Sequence, residues 1–211
     1  MKIQWFGHSS FLITGSLGKR ILTDPFNVDI GYTTYTGFSN IVTVSHNHFD
    51  HCNLKNITAD TKVINSIGTN VFDFCKITGF PSFHDDCDGL KRGKNIIYLY
   101  ELDGFRLCHL GDLGHDLSKE FLDLIKPIDI LFIPIGGNYT IDGSWASKIA
   151  KNIDATYIFP MHYKTNKLSL MLDGPEDFIL SFKNVEKLKT DTIYIDPKEK
   201  INNSTAFLFN L

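Results

Sequence analysis

The chain has 211 residues, 43% of them hydrophobic and 21% charged, with a formal net charge of -3 at pH 7. That length suits one large domain built from two tightly packed halves, roughly 1–95 and 96–211, with enough apolar side chains for a sizeable core. The charge balance argues against a face that neutralises duplex phosphates, since the longest basic cluster is Lys91-Arg92-Gly93-Lys94. No apolar run reaches about eighteen residues, so no membrane span is expected. Cys52, Cys75, Cys87 and Cys108 show no C-x-x-C spacing, and the opening Met1-Lys2-Ile3-Gln4-Trp5-Phe6 reads as a strand rather than a signal peptide. The expected setting is the cytoplasm, with reduced thiols.

Residues 2–6, 10–14 and 19–24 read as three short strands, with His8, Ser9 and Ser10 in the first turn and Asp24-Pro25 closing the third strand. Residues 27–40, rich in Gly, Thr, Tyr and Asn, read as an irregular surface loop. A β-branched strand, Ile41-Val42-Thr43-Val44-Ser45, follows. Residues 61–65 and 74–83 are further strands, separated by a weak helix or turn near 68–73. Residues 96–102 and 105–110 form a hairpin around Asp103-Gly104. A helix is predicted over 118–126 with Ser118 as N-cap and Pro127 past its end. Residues 128–135 are a continuous apolar strand, which implies a position covered on both faces. The spacing then predicts a helix over 144–152, a strand over 156–160, a helix over 175–184 and a last strand over 192–195. Strands alternating with helices point to layered α/β construction.

The strand ending at Ser45 runs into His46-Asn47-His48-Phe49-Asp50-His51. His46 and His48 are two residues apart, so in an extended segment their imidazoles point the same way. Asp50 and His51 fall where the chain turns away. Four metal-binding groups at one strand end, on a loop held by a rigid sheet, point to metal rather than to a chance polar cluster. His8, His84, His109, His115 and His162 also stand next to turns or strand ends, and Gly111-Asp112 sits where glycine lets the backbone approach a ligand closely. Each alone is commonly structural; one metal site would account for them together.

In His46-x-His48-x-Asp50-His51, the isolated His84, the Gly111-Asp112 turn and Pro160-Met161-His162-Tyr163, the chain resembles the metallo-β-lactamase fold hydrolases. Phe6-Gly7-His8-Ser9-Ser10-Phe11, Thr23-Asp24-Pro25 and Pro134-Ile135-Gly136 look most like the small bacterial branch containing the ascorbate-6-phosphate lactonase-like proteins. The resemblance covers nearly the whole chain. It implies an αβ/βα four-layer sandwich: two facing mixed sheets, outer helices, and metals at one edge. It also implies two divalent metal ions. His46, His48 and His84 would hold one, Asp50, His51 and His162 the other, and Asp112 would bridge them. Nitrogen and oxygen ligands of this kind suit zinc and would accept manganese, iron or nickel. His109 competes with His84 for the first metal; His84 is preferred because a regular strand puts His109 and Asp112 on opposite faces. His8, Asp24, His109 and Asp142 are candidate outer partners of the ligands. Cys52 reads as a small packed residue, and the role of His115 is open.

The expected chemistry is hydrolysis of a small ester, lactone or phosphate ester. Two cations sharing one water lower its pKa from about 15.7 toward 7, and Asp50 and Asp112 are the carboxylates placed to serve that step. Three other classes compete. A nuclease or phosphodiesterase acting on nucleic acid would need a basic groove. Di-iron redox relatives carry glutamate where this chain has His48. A non-catalytic metal-binding domain would keep the ligands without turnover. Loops 27–40, 85–94 and 136–144 would set specificity, with Asn138 and Tyr139 near a small-molecule substrate and Lys164 available to a phosphate. Exposed apolar loops near the site are compatible with a homo-oligomer. No membrane or duplex nucleic-acid partner is expected.

Overall fold

The computed structural model describes residues 1–199 and 201–211. In chain order its strands are β1 (Lys2–Gly7), β2 (Ser10–Thr14), β3 (Arg20–Thr23), β4 (Ile41–Thr43), β5 (Lys62–Ile64), β6 (Gly68–Val71), β7 (Cys75–Phe83), β8 (Lys94–Leu102) and β9 (Phe105–His109). After helix α1 (Lys119–Ile125) come β10 (Ile130–Pro134), helix α2 (Gly143–Ile153), β11 (Tyr157–Met161), helix α3 (Glu176–Ile179), β12 (Val185–Lys187), β13 (Thr192–Tyr194) and β14 (Thr205–Leu208). They form a six-stranded sheet in the order β13-β1-β2-β3-β4-β5 and an eight-stranded sheet in the order β12-β14-β11-β10-β9-β8-β7-β6. Both are mixed.

Period-two alternation explains the stacking. Ile13, Ile21 and Ile41 face the second sheet and join Ile77, Tyr100, Leu107, Phe132 and Phe159 in one core. Their neighbours Leu12, Leu22 and Val42 point to the opposite face of the first sheet. The uninterrupted apolar run of β10 is buried at every position. It is flanked by parallel β9 and β11, with α2 packed on it, as expected for a strand covered on both faces.

The two-sheet α/β sandwich agrees with expectation, and its helices are few. Among the described residues all three α-helices lie after residue 118. The outer face of the first sheet is covered by Tyr35, Cys52, Leu54 and Ile57 from loops. A loop can do a helix's covering work because this apolar patch is small, and Cys52 is thereby a packed thiol.

Other differences are local. Residues 68–71 are a strand, since pairing with β7 overrides their weak turn signal. The passage from first to second sheet falls between β5 and β6, not near residue 95, and β13 returns to pair with β1. The predicted helix over 175–184 shortens to α3, and β12 and β14 were missed because neither alternates cleanly. No helix of the described residues is long and apolar enough to cross a membrane.

Candidate metal centre

Six strand ends from both sheets deliver the polar residues to one edge. His8 follows β1, Asp24 follows β3, the His46–His51 loop follows β4, His84 follows β7, Asp112 lies just beyond β9, and His162 follows β11. His8, Asp24 and His162 take positive φ angles of 51°, 36° and 52°. Non-glycine residues rarely sit there, and such strain concentrates where structure over-determines a side chain's direction. The His162 N–H donates to the His8 carbonyl at 3.2 Å, tying the two sheets together at the site.

Asp112 is the hub. Its Oδ2 lies 3.0 Å from His84 Nε2, 3.1 Å from His162 Nε2, 3.2 Å from His51 Nε2 and 3.8 Å from His46 Nε2. Three sets of donor atoms converge within 4.8 Å of one another: His46, His48 and His84; His46, His51 and Asp112; and His8, Asp50, His51 and His162. His48 is the exposed member, while the other residues of these sets are buried. His46 Nε2, His51 Nε2 and Asp112 Oδ1 are buried without a hydrogen-bond partner. Buried polar atoms in such numbers need partners, and neutral imidazoles beside carboxylates are the donor set of a divalent cation. The residues fit a metal.

The ligand tautomers are set from behind. Asp24 accepts from the Ser45 N–H at 2.7 Å, the Ser45 hydroxyl at 2.6 Å and His51 Nδ1 at 3.0 Å. The Ser45 hydroxyl oxygen in turn accepts from His46 Nδ1 at 2.9 Å. Both imidazoles therefore present a bare Nε2 to the cluster. Burial, reinforced by His51, pushes the His46 pKa down to about 3. Burial opposes ionisation of Asp112, yet the His162 and His51 rings outweigh it and hold its carboxyl well below the usual range. Burial likewise opposes ionisation of Asp50, but the hydrogen bond from His8 Nε2 at 3.2 Å keeps it an anion.

The structure brings together His46, His48, Asp50, His51, His84, Asp112 and His162, and it places Asp24 and His8 against them. His8 stands closer than expected: its ring centre is 4.1 Å from that of His162 and it belongs to one of the donor groups. His109 lies apart. Its Nε2–H donates to the Ser9 carbonyl at 3.0 Å and its Nδ1 accepts from Gly111 N–H at 3.1 Å, so both nitrogens are engaged by backbone.

Five other residues have contacts of their own, including His115, whose role the sequence left open. Asp142 caps α2, accepting from Trp145 N–H at 2.7 Å, and does not support a ligand. The Lys164 ammonium donates to the carbonyls of Leu168 and Leu170 at 2.7 and 3.1 Å, holding a loop rather than awaiting a phosphate. His115 clamps backbone, accepting from Phe83 N–H at 3.1 Å and donating to the Asp116 carbonyl at 2.7 Å. Asn138 donates to the Met171 carbonyl at 3.0 Å, and Tyr139 lies under the Arg92 guanidinium.

Sequence reasoning missed Asn95. Its buried amide donates to the Ser82 hydroxyl and the Leu110 carbonyl at 2.7 and 2.9 Å, and its oxygen accepts from Asp112 N–H at 3.0 Å. No local pattern marks it, because all three partners are remote in sequence. Ser45 was missed too, although its place beside the histidine motif was a signal.

Residues 2–162 match the family model described as the β-lactamase superfamily domain. The chain belongs to the metallo-β-lactamase superfamily. It is 35% identical to a Thermotoga maritima protein of that superfamily described as a Zn-dependent hydrolase, with a TM-score of 0.81 over 99% of this chain and 97% of the other. It is 28% identical to a UPF0173 metal-dependent hydrolase of Thermococcus onnurineus, covering 94% of this chain and 98% of the relative. A Parabacteroides distasonis structure at 24% identity shares the fold, with a TM-score of 0.68 over 86% of this chain and 87% of the other. These three proteins match the chain over 86–99% of its length.

Proposed function

We propose that the protein is a metal-dependent hydrolase of small esters, lactones or phosphate esters, working through two divalent cations, with zinc the first choice. The observation that carries this reading is Asp112 Oδ2 within 3.0–3.2 Å of three imidazole nitrogens from three different strand ends. His46, His48 and His84 would hold one cation and Asp50, His51 and His162 the other, with Asp112 between them. Bound there, the cations supply Lewis acidity and a water acidified toward pH 7.

The chain's own groups do the rest. Asp24 keeps His51 and His46 in the tautomers that leave Nε2 free. Asp50 remains ionised under the His8 hydrogen bond, so it can accept the proton of an attacking water and pass it to the leaving oxygen. Asn95 holds the backbone of Asp112 so that its carboxylate stays between the two ligand groups. A cavity of about 930 Å³ opens beside His46 and His48, within the usual range for small-molecule sites.

The test is elemental mass spectrometry of purified protein, paired with assays on ester, lactone and phosphodiester panels. About two equivalents of transition metal per chain, falling in His48→Ala and Asp112→Ala together with turnover, would support the proposal. One equivalent surviving Asp112→Ala would remove the bridging role. Folded protein without metal or turnover would defeat the reading.

A further inference from the structure

The cavity beside the metal cluster contains a cation with no assigned task. The β7–β8 loop begins at His84 and is closed by His84 N–H donating to the Gly93 carbonyl at 3.0 Å. Arg92 therefore stands next to the backbone partner of a candidate ligand. It lines the cavity together with His46, His48 and Lys94.

Its side chain is held in place. One guanidinium nitrogen donates to the Asn138 carbonyl at 2.8 Å, and the guanidinium carbon lies 4.7 Å from the centre of the Tyr139 ring. Asn138 and Tyr139 belong to the loop that leaves β10, where Ile135 N–H is bonded to the Met161 carbonyl beside His162. Arg92 thus reaches from the His84 side of the site to the His162 side. The backbone beneath it is fixed by Asp85, which accepts from Arg92 N–H at 2.7 Å.

What Arg92 lacks is an anion. Neighbouring Lys91 is paired with Asp86 at 3.3 Å, and no described carboxylate lies within ion-pair distance of Arg92. A guanidinium has five N–H donors in a planar fork, and one carbonyl leaves most of them open. Stacking on Tyr139 restricts the side chain without neutralising it. A half-buried guanidinium, held by Asn138 and Tyr139 on a residue that lines the cavity and unpaired with any described carboxylate, matches a carboxylate or phosphate oxyanion.

We propose that Arg92, stacked on Tyr139, recognises an anionic group of the substrate, so that the preferred substrates are small esters or lactones bearing a carboxylate or phosphate remote from the scissile bond. This rests on the hydrolase reading for the scissile end alone.

The test compares mono-4-nitrophenyl succinate with neutral 4-nitrophenyl butyrate on the metal-loaded protein. Wild type should favour the succinate ester in kcat/KM, and Arg92→Ala should cut that preference at least about tenfold, chiefly through KM. Arg92→Lys, which keeps the charge and loses the fork, should fall between. A preference unaltered in both variants would overturn the proposal.

Calorimetric titration with succinate and with inorganic phosphate gives a readout independent of turnover. Weaker binding in Arg92→Ala supports the assignment, and the tighter wild-type ligand tells carboxylate from phosphate. Equal binding by wild type and variant overturns it. If wild type hydrolysed neither ester, the hydrolase reading would fail, while the titration would still decide the role of Arg92.

Discussion

Asp24 meets His51 at 3.0 Å and, through the single hydroxyl of Ser45, also governs His46. One buried carboxylate thus orients two imidazoles of the cluster, which the proposed two-cation arrangement puts on different ions. Such outer hydrogen bonds contribute about 10–100-fold to metal affinity. Asp24→Ala should weaken binding at both positions by about that factor, read by competition with a chromophoric chelator at pH 7. Affinities equal to wild type would show that the hydrogen bonds are bystanders.

His84 and His109 are both buried histidines at strand ends, but only His84 points a nitrogen at Asp112. His84→Ala should lose about one equivalent of metal. His109→Ala should keep the full complement while losing about 2–4 kcal/mol of stability, from a buried ring and two backbone hydrogen bonds. Elemental analysis and urea denaturation of the two variants separate the roles, and loss of metal in His109→Ala would reverse them.

Asn95 and Gly111 form the seat of Asp112. Gly111 has φ +56°, and an added Cβ would collide with the Asn95 amide oxygen and approach the Ser45 Cβ to 2.7 Å. Gly111→Ala should therefore displace Asp112 and reduce bound metal while costing about 1–3 kcal/mol. Asn95→Ala leaves the Asp112 N–H and the Leu110 carbonyl without their partner, for a similar loss. Thermal unfolding with and without chelator reads both effects, and metal content unchanged in Gly111→Ala would contradict the seat.

Asp85 carries a pH dependence of a different kind. Burial opposes its ionisation, but N–H groups of Arg92, Cys87, Gly89 and Lys91 at 2.7, 3.0, 2.8 and 3.0 Å hold its carboxyl below the usual range. A depressed native pKa stabilises the fold above the unfolded-state value near 4, and that contribution fades as pH falls below it. Wild type should be more stable than Asp85→Asn at pH 7 in chelator, and the gap should narrow between about pH 4 and pH 2. A gap independent of pH would mean that the carboxylate charge is not what holds the 85–92 loop.

Much of the site was legible because its ligands are written locally or as punctuation. His46-x-His48-x-Asp50-His51 is one contiguous loop, and His84, Asp112 and His162 follow strands whose apolar runs are plain. Asn95, Ser45 and Arg92 were not legible as participants. An Asn in a strand, a Ser at a strand end and an Arg in a basic loop are ordinary surface residues until distant backbone folds onto them. Asp142 and Lys164 failed for the same reason in reverse: their partners are a helix N-terminus and loop carbonyls, which compete with any substrate.

The sequence by itself determined most of the strands of the first half and of the β8–β11 region, the side of each that is apolar, and the chemistry of the metal-binding loop, because period-two burial and ligand spacing are properties of contiguous residues. It did not determine which sheet took residues 68–83, that loops rather than helices cover the outer face of the first sheet, or that Arg92 stacks on Tyr139. Those were decided by tertiary structure, since pairing of remote strands and closure between separate loops depend on contacts that no local pattern encodes.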